Sequence, residues 1–205
     1  TNMKKSKMMY PMGEKVYKSV CKPIEPANFE QINVLKAYIA ESGICGKLNE
    51  SQLQGLSLYL WEVVRLSQDT GYSFIKVPED AKCTVCGMFV AKYPKWAAEI
   101  KYSKDGQEKS VYFDGVKDMM KFYFKPEKWG SYKNIKVASI LVSDYYSQKA
   151  LDGKKAFYVT GSDILGPMGN ELIPFGSEEN AKTFMKDHNG KKVYRFDEIS
   201  DKLLK

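Results

Sequence analysis

The hydrophobic period of the sequence changes near residue 70, and this change decides what the chain can fold into. Before it, apolar residues recur at helical spacing in "GEKVYKSVCKPI", "EQINVLKAYIAES" and "NESQLQGLSLYLWEVVRL". After it, strand-like runs alternate with shorter helical ones. The polar stretch "SQDTGYS", residues 67–73, is predicted to be the linker. We therefore predict two domains, an all-α bundle over residues 1–72 and an α+β domain over residues 73–205.

The second part carries the signals of strands and capped helices. Asp105-Gly106 between two alternating runs is the strongest hairpin signal in the chain. Asp114 and Ser177 are candidate N-caps for the helices "GVKDMMKFYF" and "SEENAKTFMKDH", because short polar side chains satisfy free N–H groups there. Further strands are predicted in "MFVAKY", "KVASILVSDYY", "KKAFYVTGS", "ELIPF" and "KKVYRF", and a terminal helix in "DEISDKLLK".

Two segments of this second part resemble each other. "FDGVKDMMKF" (113–122) and "FGSEENAKTF" (175–184) each end a strand with Phe, turn through Gly and return to Phe nine residues later. We predict two related β-β-α-β units, residues 83–146 and 155–198. Chance similarity between two short amphipathic helices is the alternative.

Composition excludes several classes of function. The sequence has one histidine, His188, which argues against most zinc hydrolase sites and against His-rich Cu(II) sites. No run of 18 apolar residues predicts a membrane-spanning helix. The net charge is +7, but lysines and glutamates are mixed along the chain, so we expect no nucleic-acid partner.

The stretch "CTVCGMFV" holds Cys83 and Cys86 in a Cys-x-x-Cys spacing. The spacing fits a redox pair, half of a metal site or a structural disulfide. A thioredoxin-like redox motif opens a helix, whereas a strand-like segment follows here. A zinc site needs about four nitrogen or sulfur ligands. Cys21 and Cys45 could complete one, but they lie in the helical part.

Methionine shifts the balance toward a soft metal. Met88 follows Cys86 by two positions, and Gly87 lets the backbone bend between the two sulfurs. Thiolate and thioether together select Cu(I). A further donor is Met168, in the Gly-Pro turn of "GSDILGPMGNELIPF"; its alternative is a single exposed methionine. The residues thus favour Cu(I) binding by Cys86, Met88 and Met168.

"CTVCGMFVAKYPKWAAEI", "VYFDGVKDMMKFYF" and "KKAFYVTGSDILGPMGNELIPF" together resemble the NosL family, accessory lipoproteins of nitrous oxide reductase maturation. The resemblance covers about residues 76 to 200. It implies an α+β fold with two related units, similar to part of organomercurial lyase. It also implies a non-enzymatic Cu(I) metallochaperone that uses Cys86, Met88 and Met168. Cys83 matches the Cys-x-x-Cys form and is a further candidate ligand.

The resemblance also implies a location and partners. The family acts outside the cytoplasm, so we expect a periplasmic protein that delivers copper to the copper centres of nitrous oxide reductase. The expected partners are the reductase and its maturation machinery, including a membrane transporter complex. Family members are usually lipid-anchored through an N-terminal cysteine, but no lipobox cysteine opens this sequence.

The helical part resembles a class I cytochrome c scaffold. It has a first helix with Gly-x-x-x-Tyr, at Gly13 and Tyr17, and a last helix that ends in Tyr-Leu-Trp. The haem-attachment motif Cys-x-x-Cys-His is absent. The resemblance therefore implies a haem-less domain in which a disulfide between Cys21 and Cys45 partly replaces the cofactor; two unpaired thiols are the alternative.

Two enzymatic alternatives stay open at this point. The first is a thiol–disulfide oxidoreductase that uses Cys83 and Cys86. The second is an organomercurial-lyase-like activity, suggested by fold likeness alone. The second would need an acid beside two thiols, and the sequence does not reveal one.

Overall fold

The computed structural model describes residues 3–29, 31–65 and 75–204. The chain divides into two compact units, Thr1–Tyr72 and Ser73–Lys205. The predicted linker, residues 67–73, lies outside the described residues.

The first unit is built from three helices, two of which begin where the sequence places them. A capping box fixes the start of the third: the Asn49 side chain accepts from the Gln52 backbone N–H, and the Gln52 side chain accepts from that of Asn49. The first helix begins ten residues before the predicted segment, which opens at Gly13. The helices are α1 (Met3–Val20), α2 (Ile32–Ser42) and α3 (Glu50–Tyr59), and a π-helical turn, Leu60–Val64, continues α3.

Helices α1 and α3 cross where each has a glycine. A Cβ atom at Gly13 would lie 2.1 Å from the Gly55 carbonyl oxygen, and one at Gly55 would lie 2.7 Å from Cε of Met12. Beside this crossing the rings of Tyr17 and Tyr59 pack with centroids 6.2 Å apart. The two backbones are therefore closer than any side chain at the crossing would allow.

A disulfide joins Cys21, directly after α1, to Cys45, in the loop after α2. The two cysteines are 24 residues apart in sequence. Closing a loop of this length in the unfolded chain stabilises the folded unit by about 3 kcal/mol in the chain-entropy account. The bridge and the helix crossing together hold a small core around Leu35, Leu56 and Trp61.

The second unit begins its sheet with the predicted hairpin, which the structure confirms. Asp105 and Gly106 both have positive φ, 52° and 77°, as the tight mirror-image hairpin turns require. The sheet is antiparallel, with strand order β2-β1-β3-β4. Its strands are β1 (Ala98–Lys104), β2 (Gln107–Phe113), β3 (Lys136–Ser143) and β4 (Ala150–Asp152), and helix α4 (Val116–Phe124) follows β2.

A smaller sheet has the order β8-β5-β9 and is also antiparallel. The Ser177 side chain caps its helix by accepting from the Asn180 N–H, as predicted. The elements are β5 (Phe157–Thr160), β8 (Ile173–Phe175), α5 (Glu178–Asp187) and β9 (Lys192–Arg195). A short two-stranded hairpin, β6 (Leu165–Gly166) and β7 (Gly169–Asn170), comes between β5 and β8 in the chain.

Both sheets repeat one order of elements. In each, two strands precede a helix and a third strand follows it, and the first strand lies between the other two. In the first sheet this gives β2-β1-β3 and in the second β8-β5-β9. This topology is the one that two related units would have; their common origin stays a prediction.

Two of the predicted secondary-structure elements are wrong. "MFVAKY" forms an isolated bridge between Lys82 and Phe89 and then a 3₁₀ turn, Val90–Lys92, because Pro94 follows and cannot extend a hydrogen-bonded ladder. "DEISDKLLK" forms two 3₁₀ turns, Phe196–Glu198 and Asp201–Leu204, because the extended backbone of Ile199 between them interrupts a continuous helix.

The core of the second unit lies between the larger sheet and α4. Phe113 of β2 packs on Phe122 of α4 with ring centroids 5.3 Å apart. Met119 and Met120 are fully buried in the same core. These two thioethers are therefore packing residues.

Gly13→Ala should destabilise the helical unit, because the new methyl group meets the backbone of α3 and no rotamer change can relieve that contact. We expect a loss of about 1–3 kcal/mol, the usual range for overpacking. Amide hydrogen exchange of α1 and α3 in the full chain would measure it. Lys15→Ala, at an exposed position of α1, is the control; equal protection in both variants would contradict the close crossing.

Candidate metal centre

Residues 83–88, here called the cysteine loop, close on themselves through the backbone. The Gly87 N–H donates to the Cys83 carbonyl at 2.8 Å, and the Cys83 N–H donates to the Met88 carbonyl at 2.7 Å. Gly87 has a φ of +79°, which a side chain would disfavour. The Thr84 N–H donates to the Tyr112 carbonyl of β2 at 3.3 Å and fastens the loop to the sheet.

Two carboxylates meet the two thiols of this loop. Cys83 is 2% exposed and Cys86 is half-buried, and both are free thiols. The Cys86 thiol donates to Oδ1 of Asp114 at 3.1 Å, and the Cys83 sulfur lies 3.9 Å from Oδ2 of Asp118. One ligand atom from each of these four side chains lies within 4.8 Å of the others. We call the four the thiol–carboxylate cluster.

Asp114 does not cap α4, so that prediction is wrong. The N-cap is Gly115, and the Asp114 carboxylate turns to Cys86 instead. The free N–H groups at this helix end are reached by Glu171, whose Oε1 accepts from the Lys117 N–H at 2.5 Å. A distant carboxylate thus takes the capping role, which frees Asp114 to face the thiol.

One oxygen of the cluster has no partner. Oδ2 of Asp114 is buried without a hydrogen-bond partner, and the residue is 1% exposed. Asp118, 3% exposed, has its Oδ1 paired with the Lys121 ammonium at 2.9 Å. An unpaired buried carboxylate oxygen costs free energy, and a cation bound to the cluster would offset that cost.

The thiols of the cluster resist ionisation when no metal is bound. Burial raises the pKa of the Cys86 thiol and the Asp114 carboxylate adds to the increase, although the Met88 backbone N–H opposes it. Burial likewise raises the pKa of the Cys83 thiol, again with a contribution from Asp114. Reactive dithiols have lowered pKa values, so this environment is the opposite of the one that redox chemistry requires.

The two predicted methionine ligands lie in different segments and differ in exposure. Met88 closes the cysteine loop with its carbonyl, and its side chain is half-buried. Met168 stands with Pro167 at the tip of the β6–β7 hairpin, which we call the methionine hairpin, and is 48% exposed.

The methionine hairpin is fastened to the helix end that carries the carboxylates. Glu171 directly follows β7 and accepts from Lys117 of α4. The contact is close: a Cβ at Gly115 would lie 2.1 Å from Oε2 of Glu171, and one at Gly166 would lie 3.2 Å from its Cγ. Asp114, the neighbour of Gly115, faces Cys86. Glu171 therefore links the segment with Met168 to the segment beside the thiols.

The sequence did not reveal three acidic residues of the site, Asp114, Asp118 and Glu171. Helical spacing could not have paired Asp114 with Asp118, because Asp114 precedes the N-cap Gly115 and lies outside the helix. The acid that a lyase-like activity would need is thus present beside the thiols. Cys21 and Cys45 are bonded to each other and do not complete the site.

Within the described residues, no helix combines the length and the apolar character needed to cross a bilayer. The sequence of residues 74–204 matches the family model for NosL. This chain belongs to the NosL family. The family is therefore as the sequence motifs predicted, and the fold is mixed helix and sheet, as in a solved NosL structure.

Two relatives show how far the similarity reaches. The curated "Copper-binding lipoprotein NosL" of Stutzerimonas stutzeri is 29% identical over 131 residues, which are 60% of this chain and 64% of that protein. The crystal structure of the copper chaperone NosL from Shewanella denitrificans matches with 25% identity and a TM-score of 0.52. That match covers 62% of this chain and 95% of the other. This chain thus spans less than two thirds of the curated relative.

Asp114→Asn should speed alkylation of Cys86 at mildly alkaline pH. The carboxylate helps to raise the pKa of the thiol, so its removal increases the thiolate fraction. Rates with iodoacetamide, assigned by peptide mass mapping, would measure this. Asp80→Asn, an exposed carboxylate three residues before Cys83, is the matched control. An unchanged Cys86 rate in Asp114→Asn would be evidence against the Asp114–Cys86 contact.

Glu171 should make stability depend on pH. Burial raises the pKa of Glu171 from 4.5 to about 7, although the backbone N–H groups of Leu172 and Lys117 oppose the shift. The folded state therefore binds this proton more tightly than the unfolded state, and stability is lost as pH rises from 4.5 to about 7. The loss amounts to about 3 kcal/mol at 1.36 kcal/mol per pKa unit.

Glu171→Gln keeps an acceptor oxygen but carries no charge, so its stability should not fall across this window. Urea unfolding of both proteins at several pH values would show the difference. Glu127→Gln, at an exposed position, is the control. Parallel pH profiles for wild type and Glu171→Gln would contradict the assignment.

Proposed function

We propose that this chain is an extracytoplasmic Cu(I)-binding metallochaperone that delivers copper for maturation of the copper centres of nitrous oxide reductase. Copper is its cargo, and the chain is not an enzyme. The proposed donors are Cys86, Met88 and Met168, here called the sulfur donors, with Cys83 as a further thiol beside them. The support from relatives is that one is named a copper chaperone and another a copper-binding lipoprotein.

The observation that carries the proposal is the pair of free thiols, Cys83 and Cys86, in one closed loop with Met88. Thiolate and thioether are soft ligands, which suit Cu(I) and not the hard divalent cations. A single thiolate with neutral thioethers balances the charge of one Cu(I). Such a set holds the ion less firmly than an all-thiolate set would, which fits an ion that must be handed on.

The exposure of the sulfur donors fits release to a partner. Met168 is half exposed at the tip of its hairpin, and Leu165 and Phe89 are exposed near Met168 and Met88 in the sequence. An exposed thioether can be approached by a recipient's ligands while buried Cys83 cannot. The proposed recipients are nitrous oxide reductase and its maturation machinery, including a membrane transporter complex.

The disulfide of the helical unit supports an extracytoplasmic location. A disulfide between Cys21 and Cys45 suits an oxidising location such as the periplasm. One relative is named a lipoprotein. We propose a periplasmic protein that is lipid-anchored to a membrane.

We also propose that the helical unit is a haem-less cytochrome c-like scaffold. The close crossing of α1 and α3 at Gly13 and Gly55, with Tyr17 against Tyr59, supports this proposal. An experimentally determined structure of the full chain whose helices fail to superpose on class I cytochromes c would contradict it.

The enzymatic alternatives have less support. A thiol–disulfide oxidoreductase needs a readily ionised cysteine, but the pKa values of both Cys83 and Cys86 are raised. No α-helix begins at Cys86 to lower its pKa, since a 3₁₀ turn follows the loop. A lyase-like activity has its acid in Asp114, but both relatives are named for copper.

An anaerobic Cu(I) titration of the reduced chain against a coloured competing chelator tests the proposal. We expect one tight equivalent, and Met168→Ala should weaken it roughly tenfold or more, the usual effect of losing a metal-site contact. Leu165→Ala truncates another exposed side chain of the same hairpin and is the control. A fully reduced wild-type sample that takes no Cu(I) from the chelator would falsify copper binding.

A further inference from the structure

His188, the single histidine of the sequence, has no role in the copper proposal. Its side chain and that of Asp163 are each 1% exposed. Nδ1 of His188 lies 2.9 Å from Oδ1 of Asp163, a hydrogen-bond distance. An ionised carboxylate only accepts, so the imidazole N–H donates. Burial of ionisable groups is costly, which raises the question of what the position of this pair achieves.

The backbone adds a second bond between the same two residues. The Asp163 N–H donates to the His188 carbonyl at 2.9 Å. His188 directly follows α5, and its own N–H donates to the Phe184 carbonyl at 2.8 Å. Its ring also stacks on that of Phe184, with centroids 4.4 Å apart. The histidine is thereby fixed to the carboxyl end of α5, and Asp163 is fixed to the histidine.

Asp163 stands just before the methionine hairpin. The first hairpin strand, β6, begins at Leu165, and Met168 lies at the tip. The two strands β6 and β7 pair through two residues each. So short a two-stranded hairpin is at best marginally stable by itself. Its position must therefore come from whatever holds its two ends.

Two buried carboxylates hold these ends to different helices. After the hairpin, Glu171 accepts from the Lys117 N–H at the amino end of α4. Before the hairpin, Asp163 is bonded twice to His188 at the carboxyl end of α5. A hairpin held at one end only could swing about that end, whereas two attachments fix where its tip lies.

We propose that His188 and Asp163 are positioning residues that hold the methionine hairpin and thereby place Met168 for Cu(I). The inference rests on the proposed function only in taking Met168 as a donor, because the attachment of the hairpin itself does not need copper. A donor on a mobile hairpin loses freedom when it binds an ion. Holding the hairpin in place beforehand removes that cost and so strengthens binding.

The variants separate positioning from general stabilisation of the smaller sheet. His188→Phe keeps an aromatic ring beside Phe184 but removes the donor, and His188→Asn keeps a short N–H donor and tests for rescue. Val159→Ala, at a buried position of β5, weakens the same sheet while both residues of the pair are kept, and it is the control. Circular dichroism verifies folding. If His188→Phe does not fold, Asp163→Ala takes its place with the same expectation.

The first readout uses the copper-free, reduced chain. Backbone ¹⁵N relaxation gives order parameters, which are about 0.85 for a rigid backbone and below about 0.6 for a flexible one. We expect rigid values for residues 165–170 in the wild type and in Val159→Ala. In His188→Phe they should fall to the flexible range, while those of β1 stay unchanged. His188→Asn should restore most of the rigidity.

The second readout is a double-mutant cycle on Cu(I) affinity, measured anaerobically against a competing chelator. His188→Phe should lower the affinity roughly tenfold, as the loss of a partner behind a metal ligand usually does. In a Met168→Ala background it should cause no further loss, because the donor that it positions is already gone. Val159→Ala should leave the affinity unchanged.

Three results would overturn the inference while copper binding stands. The first is an unchanged order of the hairpin in folded His188→Phe, and the second is an equal loss of Cu(I) affinity with and without Met168. The third is the same loosening in Val159→Ala, which would show general destabilisation. A wild-type chain that takes no Cu(I) would refute the proposed function, whereas the order parameters would still decide whether the pair holds the hairpin.

Discussion

The amino end of helix α4 is the feature on which the candidate metal centre depends. Helix N-termini have free N–H groups and a partial positive charge, so they attract carboxylates. Glu171 uses this to attach the methionine hairpin to the helix through Lys117. Because Glu171 satisfies the helix end, Asp114 is free to turn to Cys86. One partly buried hydrogen bond thus holds the methionine hairpin at the helix end beside which Asp114 contacts the Cys86 thiol.

Features that depend on adjacent residues were predictable from the sequence, and features that depend on tertiary partners were not. The hairpin at Asp105-Gly106 and the caps at Asn49 and Ser177 depend on a few adjacent residues, and the structure has all three. The strand predicted in "MFVAKY" depends on whether a partner strand is available, and after one bridge it has none. Turns and helix caps can thus be predicted from neighbouring residues, whereas strand pairing cannot.

The candidate site shows the same limit. Cys83, Cys86 and Met88 are neighbours in the sequence, so their clustering could be foreseen. Asp114 looked like a helix cap because no sequence rule indicates that Glu171, 57 positions later, takes that role. Because Glu171 accepts from the Lys117 N–H at the helix end, the Asp114 side chain contacts Cys86 instead. The candidate sulfur ligands could therefore be found from their spacing in the sequence, whereas the contact of Asp114 with Cys86 required the structure.

The disulfide of the helical unit has a consequence for how the chain matures. In an oxidising compartment such as the proposed periplasm, Cys21 and Cys45 must form a disulfide while Cys83 and Cys86 remain free thiols. Thiol exchange proceeds through the thiolate, so the raised pKa values of Cys83 and Cys86 slow their capture by oxidants once the second unit is folded. Early folding of that unit protects its sulfurs from oxidation and from scrambling with Cys21 or Cys45. In such a compartment, the relative folding rates of the two units would therefore affect how many chains retain both free thiols.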